Sequence, residues 1–203
     1  MAIERNPTNT RQKILAAAFQ EIHKHGYQGM RVERILTRTG LKKGALYHHF
    51  SSKQALAFAV LEELIAKRIE ELWIEPLKNC SDPLQDIHTL FQRLDETCSD
   101  DFFTLGCPLN NLAQEMSPID EGFRERIGKI FQSWQAALSR ALQNGQDRGT
   151  VDKTVAVEDC AMFLLSTMEG ALGMTKTQQD KEVYYRCGRE LQRYLNSLRA
   201  IPS

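Results

Sequence analysis

Apolar residues recur along this chain in steps of three and four, and Gly, Pro and capping side chains mark the breaks between the periodic stretches. From Thr8 to His25 the apolar positions Ile14, Leu15, Ala18, Phe19 and Ile22 make one helix face, and Gly26 stands where a helix commonly ends. Val32, Ile35 and Leu36 predict a short second helix ending at Gly40, and Leu41 to Phe50 a short third. Ser51-Ser52-Lys53-Gln54 then offers a serine cap to a long run through Leu56, Val60, Leu64, Ile65, Ile69, Leu72 and Trp73 that stops at Pro76.

Beyond Lys78 to Ser81, Asp82-Pro83 reads as an N-cap followed by a first-turn proline for a helix reaching about Cys98. Gly106-Cys107-Pro108 opens another. Ser117-Pro118 is expected to start the best-marked helix, with Ile119, Phe123, Ile127, Ile130, Phe131, Trp134, Leu138, Ala141 and Leu142 on its apolar face, until Gly145 to Gly149 end it. Val155 to Lys176 and Asp180 to Arg199 predict the last two. No stretch alternates apolar and polar residues long enough for a strand, and no fixed-period repeat occurs. The expected fold is all-α with about nine helices: a three-helix domain over residues 1–52 and a second helical domain over residues 53–203.

With 203 residues, 42% hydrophobic and 26% charged, the chain has the profile of a folded globular protein rather than a disordered or fibrous one. Equal counts of 26 basic and 26 acidic residues argue, on average, against a protein that binds polyanions. The distribution reverses that reading. Residues 1–55 hold ten Lys/Arg against three acids, and four of the five histidines, His23, His25, His48 and His49, lie there too. Such asymmetry points to a nucleic-acid or membrane contact. A membrane span needs about 20 mostly apolar residues, and the longest candidate, Met162 to Leu172, is interrupted by Glu169. With no cleavage-type signal near the N-terminus, a cytoplasmic protein without membrane contact is expected. Five cysteines without a C-x-x-C pair fit neither a disulfide framework nor a zinc ribbon, so reduced thiols and no metal or other cofactor are expected.

Residues 32–50 carry the chemistry. A short helix, a turn at Gly40 and a second short helix have the shape of a helix-turn-helix, whose second helix can enter the major groove. Lys42 and Lys43 fall at the start of that helix, where base and phosphate contacts concentrate. Gly44 and Ala45 are small enough to let the backbone approach DNA closely, while Tyr47, His48, His49 and Lys53 supply donors for phosphate. Shape and charge alone leave a solvated basic face as the other reading. The adjacent histidines diverge by about 100° on a helix and lack a third ligand nearby, so they do not suggest a metal site.

The sequence Gly26-Tyr27, Val32-x-x-Ile35, Gly40-Leu41-x-Lys43-Gly44-Ala45-Leu46-Tyr47-His48-His49-Phe50-x-x-Lys53-x-x-Leu56 resembles the N-terminal domain of the TetR/AcrR transcriptional regulators. The resemblance spans about residues 8–60. It implies a homodimer that binds double-stranded operator DNA through its third helix until a small molecule enters the C-terminal domain. By position, Lys43, Gly44 and Ala45 match the base-reading and close-approach sites, Tyr47, His48 and His49 the phosphate side, and Lys53 the phosphate-binding lysine. Leu41, Leu46 and Phe50 match core positions. Arg31 and Lys42 stand where a capping Ser or Thr is usual in the family, each exchanging a cap worth about 1 kcal/mol for a cation within reach of phosphate.

Farther along, Gly106-Cys107-Pro108-Leu109-x-Asn111-Leu112-Ala113 and Glu169-Gly170-Ala171-Leu172 are similar to a recurring subgroup of the family. The resemblance implies an intersubunit bundle of the last two helices. Gly170 and Gly173 are expected to allow close approach, and Tyr184, Leu191, Tyr194 and Leu198 to supply apolar area; a stripe turned to the internal core is the alternative. Candidate pocket residues are Phe102, Phe103, Cys107 and Asn110, with Asn111, Trp134, Phe163 and Met168. Cys107 has two readings. At a helix N-cap its thiolate would be favoured by free N–H groups and the helix dipole; as a buried thiol it would be a small apolar wall. The expected function is a one-component regulator, a repressor released by a small-molecule or thiol-reactive signal. The alternatives are an interaction module that has lost DNA binding and a helical enzyme, although no nucleophile–base set, HExxH, P-loop or GxGxxG supports the latter.

Overall fold

The structure, a computed structural model, describes residues 7–200. Nine helices follow one another: α1 (Pro7–Gly29), α2 (Val32–Thr39), α3 (Lys43–His49), α4 (residues 53–77), α5 (Pro83–Thr97), α6 (Pro108–Met116), α7 (Glu121–Asp147), α8 (Val157–Gln178) and α9 (Lys181–Ser197). A helical turn, Asp100–Leu105, lies between α5 and α6. Among the described residues the only extended pairing is one bridge between Val151 and Arg199.

The start signals in the sequence act as hydrogen-bond acceptors. Ser52 Oγ accepts from Ala55 N at 2.9 Å and opens α4. Asp82 Oδ1 takes the amides of Leu84 and Gln85 at the start of α5, and Asp180 that of Glu182 at the start of α9. Arg31 and Lys42 hold the N-cap positions of α2 and α3 with no side-chain cap bond. One expected start moves. Ser117-Pro118 lies in the turn that closes α6, where Ile119 and Asp120 donate back to the Met116 carbonyl, and α7 begins at Glu121. Asp120 supplies its cap by accepting from Phe123 N at 3.0 Å, because a carboxylate placed three residues before the amide reaches it and Ser117 does not. The long α4 contains two wider π turns, Leu61–Ile65 and Glu70–Ile74.

The chain groups into two units, and the boundary is not a single cut at residue 52. One unit holds residues up to Lys67 together with Asn111–Ile127; the other holds Arg68–Asn110 and Gly128 onward. The chain passes between them inside α4, α6 and α7. In the first unit, Ile14, Leu15, Ala18 and Ile22 of α1, Ile35 of α2, Leu46 of α3, and Leu56 and Val60 of α4 form the core, each large aliphatic contributing about 1.5–3 kcal/mol of burial. Gly26 breaks α1 with φ 71° and ψ 174°, a conformation that side chains disfavour.

In the second unit the core is aromatic. Trp73 packs on Trp134 with centroids 5.0 Å apart, and Tyr184 stacks on Phe91 at 4.1 Å, its hydroxyl donating to the Phe91 carbonyl at 2.6 Å. Phe103 closes edge-on against Tyr184 at 5.1 Å. This corrects the stripe expected on the last helix. Tyr184 and Leu191 are buried within their own chain, because their face of α9 covers the ring of Phe91 and the rest of the helical core.

Candidate nucleic-acid interface

Helix α3 is pinned by its apolar side. Leu46 is wholly buried and Phe50, at its C-terminal end, nearly so. The opposite side presents Lys43, Gly44, Tyr47 and His48 to solvent, with Lys42 just before them and Ala45 and His49 half-buried at the edges. Lys43 Nζ lies 5.8 Å from the centre of the Tyr47 ring, so the cation and the aromatic donor stand together. A Cβ at Gly44 would meet nothing within 4 Å, so the glycine leaves room outward, where a partner would approach. Arg31 is exposed at the start of α2.

Three basic residues of this unit outside α3 make contacts within it. Arg34 donates to the buried Glu21 at 2.9 Å. Arg11 forms a two-pronged pair with Glu63 and covers the Phe50 ring. Lys53 sits 4.8 Å over the Tyr27 ring and donates to the Gln28 carbonyl at 3.2 Å. The same short segment is also held by Glu115 of α6, whose carboxylate accepts from the amides of Tyr27 and Gln28, both at 2.8 Å. Glu115 escaped the sequence reading, since its partners lie more than 80 residues away and no local pattern announces them.

The pocket candidates separate. Trp134 and Met168 are buried in the second unit, and Trp134 Nε1 has no hydrogen-bond partner. Phe103 belongs to the Tyr184 stack, with the Lys181 ammonium 4.8 Å from its ring. Phe102 and Asn110 are half-buried, and Asn111 falls in the first unit. Phe163 does not turn inward: it is 49% exposed and packs beside Tyr194 at 4.8 Å. It joins Met174, Val183, Cys187 and Tyr194 around an apolar groove on α8 and α9, with Met162 and Gly170 also exposed. Gly173 is half-buried with nothing within 4 Å of its Cβ direction, and Leu198 is half-buried.

Cys107 occupies the expected position ahead of α6. The backbone amides of Leu109 and Asn110 face its sulfur and favour its charged form. Burial outweighs them, aided by the Glu169 carboxyl, and pushes the thiol well above its usual range. Glu169 of α8 is itself buried, and neither of its oxygens has a hydrogen-bond partner of ordinary geometry. Burial raises its acid to about 7, opposed by the Cys107 thiol. The signal for this residue was present in the sequence as the one charged side chain in the run Met162 to Leu172.

Two family descriptions match the chain: "Bacterial regulatory proteins, tetR family" over residues 14–60 and "Transcriptional regulator LmrA/YxaF-like, C-terminal domain" over residues 83–190. The chain belongs to the TetR family. Among its relatives, the transcriptional repressor DhaR of Mycobacterium sp. (strain GP1) is 27% identical over 176 residues, 86% of each chain. The transcriptional repressor NemR of Escherichia coli K12 is 30% identical over 142 residues, 68% of this chain and 70% of that one. The crystal structure of E. coli NemR in its reduced form superposes with a TM-score of 0.79 at 25% identity, covering 96% of this chain and 99% of that one. A TetR regulator from Chloroflexus aurantiacus shares the fold, with a TM-score of 0.85 at 24% identity, covering 98% and 100%. The protein is thus a ligand-responsive DNA-binding regulator of transcription, and no helix among the described residues is long and apolar enough to cross a membrane.

Proposed function

We propose that this protein is a cytoplasmic homodimeric repressor that reads a palindromic operator with α3 and leaves it when a small molecule or a thiol-reactive compound reaches the second unit. The observation that carries the reading is the two-sided build of α3: Leu46 and Phe50 fix it to the core while Lys43, Gly44, Tyr47 and His48 stand free. Arg31, Lys42, Ala45, His49 and Lys53 complete the contact set. One seven-residue helix reads too few base pairs alone, so two copies related by a two-fold axis supply the half-sites, about 34 Å apart or a multiple of it. The groove and exposed apolar side chains on α8 and α9 are the face for the second copy, with Gly170, Gly173, Tyr194 and Leu198 in it. The curated relatives carry the name of repressor or regulator, which supports regulation over an enzymatic role.

The test is electrophoretic shift against DNA flanking the protein's own gene. Lys53→Ala should weaken every DNA sequence and lower the salt slope by about one unit, whereas Lys43→Ala should also relax base preference. Parent-like binding by both variants would remove α3 from the interface, and no shift at all would favour an interaction module.

A further inference from the structure

Glu115 is an acid that the fold adds to a basic unit. Residues 1–55 carry ten Lys/Arg against three acids, and α6 brings this carboxylate to them from far along the chain. A fixed negative charge beside a surface for a polyanion weakens the attraction, so Glu115 opposes DNA binding unless it serves the contact in another way. Its geometry supplies that way. Gly26, at φ 71° and ψ 174°, breaks the ladder of α1, and the next two amides, of Tyr27 and Gln28, donate to Glu115 Oε2 and Oε1 at 2.8 Å each. The two residues held by Glu115 are the two that hold Lys53: its Nζ lies 4.8 Å over the Tyr27 ring and donates to the Gln28 carbonyl at 3.2 Å. The Tyr27 ring also packs on Phe123 of α7 at 4.7 Å, which limits its swing. All of these residues lie in the first unit. We propose that Glu115 is a positioning residue for DNA contact: by holding the Tyr27 and Gln28 amides it fixes the ring and the carbonyl that keep the Lys53 ammonium where it meets a phosphate.

A lysine side chain that moves freely loses rotamer freedom when it grips a phosphate, and that loss is subtracted from the strength of the contact. Here the loss is taken before DNA arrives, because the Gln28 carbonyl and the Tyr27 ring already hold the ammonium. An ammonium carries three N–H donors; the carbonyl uses one, and two remain for phosphate oxygens. Without the carboxylate the two amides turn to water, the segment after Gly26 gains freedom, and Lys53 gains it too. Glu115 thus acts through Lys53 and makes no contact with DNA itself. Charge alone predicts the opposite outcome, since removing an acid from a basic unit strengthens its field for DNA. The sign of the effect therefore separates positioning from simple electrostatics. The proposal rests on the reading of Lys53 as a phosphate contact given above.

The probes are two fluorescently labelled duplexes, one from the DNA flanking the protein's own gene and one of scrambled sequence, and the readout is anisotropy across a salt series. Parent, Glu115→Ala, Glu115→Gln and Lys53→Ala are compared, with both Glu115 variants also made in the Lys53→Ala background. Circular dichroism establishes folding and stoichiometric titration the active fraction; lost stability alone lowers that fraction and leaves the salt slope at the parent's value. Glu115→Ala should flatten the slope by about one unit on both duplexes, as Lys53→Ala does, which at about 0.1 M salt is an affinity loss of about eightfold for one phosphate contact. Glu115→Gln, which keeps a neutral acceptor in the same place, should fall between parent and Glu115→Ala. Lys53→Ala should cost nothing further once Glu115 is replaced by Ala. Where Glu115→Ala does not fold, Glu115→Gln in the two Lys53 backgrounds carries the comparison, and its loss should shrink when Lys53 is gone. A parent-like slope in the folded Glu115 variants, tighter binding by Glu115→Gln, or losses that add in the double variants would each overturn the proposal. A parent that does not prefer the flanking duplex would sink the operator reading, while the scrambled duplex still decides the role of Glu115; binding to neither duplex would sink both.

Discussion

Glu115 supports the first unit from a helix far away in sequence, and removing its carboxylate measures that support. Its two bonds to the amides of Tyr27 and Gln28 are both 2.8 Å long and charge-assisted, one part-buried and one exposed. At about 1 kcal/mol each in such surroundings, Glu115→Ala should cost about 2 kcal/mol. The neighbour Gly26 allows a sharper version. A Cβ there would lie 2.6 Å from Glu115 Oε2 and 2.8 Å from Oε1, so Gly26→Ala must push the carboxylate off its amides as well as strain a backbone at φ 71°. The strain is about 1–3 kcal/mol in either background; the displaced carboxylate adds about 2 kcal/mol only when Glu115 is present. The double variant should therefore be about 2 kcal/mol more stable than additivity predicts. Urea denaturation reads the cycle, and hydrogen exchange reads the site: the Tyr27 and Gln28 amides should lose about thirtyfold in protection in Glu115→Ala, the equivalent of 2 kcal/mol. Unchanged protection, or an equal cost of Gly26→Ala in both backgrounds, would refute the reasoning.

Two further perturbations test other parts of the structure. Phe163→Glu and Met174→Glu, both on the exposed face of α8, should yield folded monomers by sedimentation, whereas Leu191→Glu, at a position 2% exposed, should unfold the chain at a cost above about 3 kcal/mol; intact dimers from the first two would place the interface elsewhere. Because the folded state holds the Glu169 proton up to about pH 7 and the unfolded chain releases it near 4.5, stability should fall as pH rises from 4.5 to 7 and then level off, by about 3 kcal/mol from this group. Glu169→Gln should flatten that slope in urea titrations, and a slope equal to the parent's would show that the carboxyl is solvated.

Helix positions and the recognition motif were readable because both depend on residues near one another in the chain. A cap such as Ser52 or Asp82 acts on an amide two or three residues away, and the 3.6-residue period states which face is apolar without knowing what covers it. The same locality explains the misplaced start at Ser117, where two acceptors three residues apart competed and the closing turn of α6 decided for Asp120. Whatever depended on distant partners stayed hidden. The stripe on α9 could face a second subunit or its own core, and only the position of Phe91 shows that Tyr184 and Leu191 turn inward while the groove beside Phe163 and Met174 stays open. Glu115 has the composition of any surface acid until the break at Gly26 brings two free amides to it. Glu169 looked like an interruption in an apolar run; tertiary packing buries it and sets it beside Cys107, because burial is a property of what surrounds a side chain, and the chain order near residue 169 does not record that residue 107 will be there.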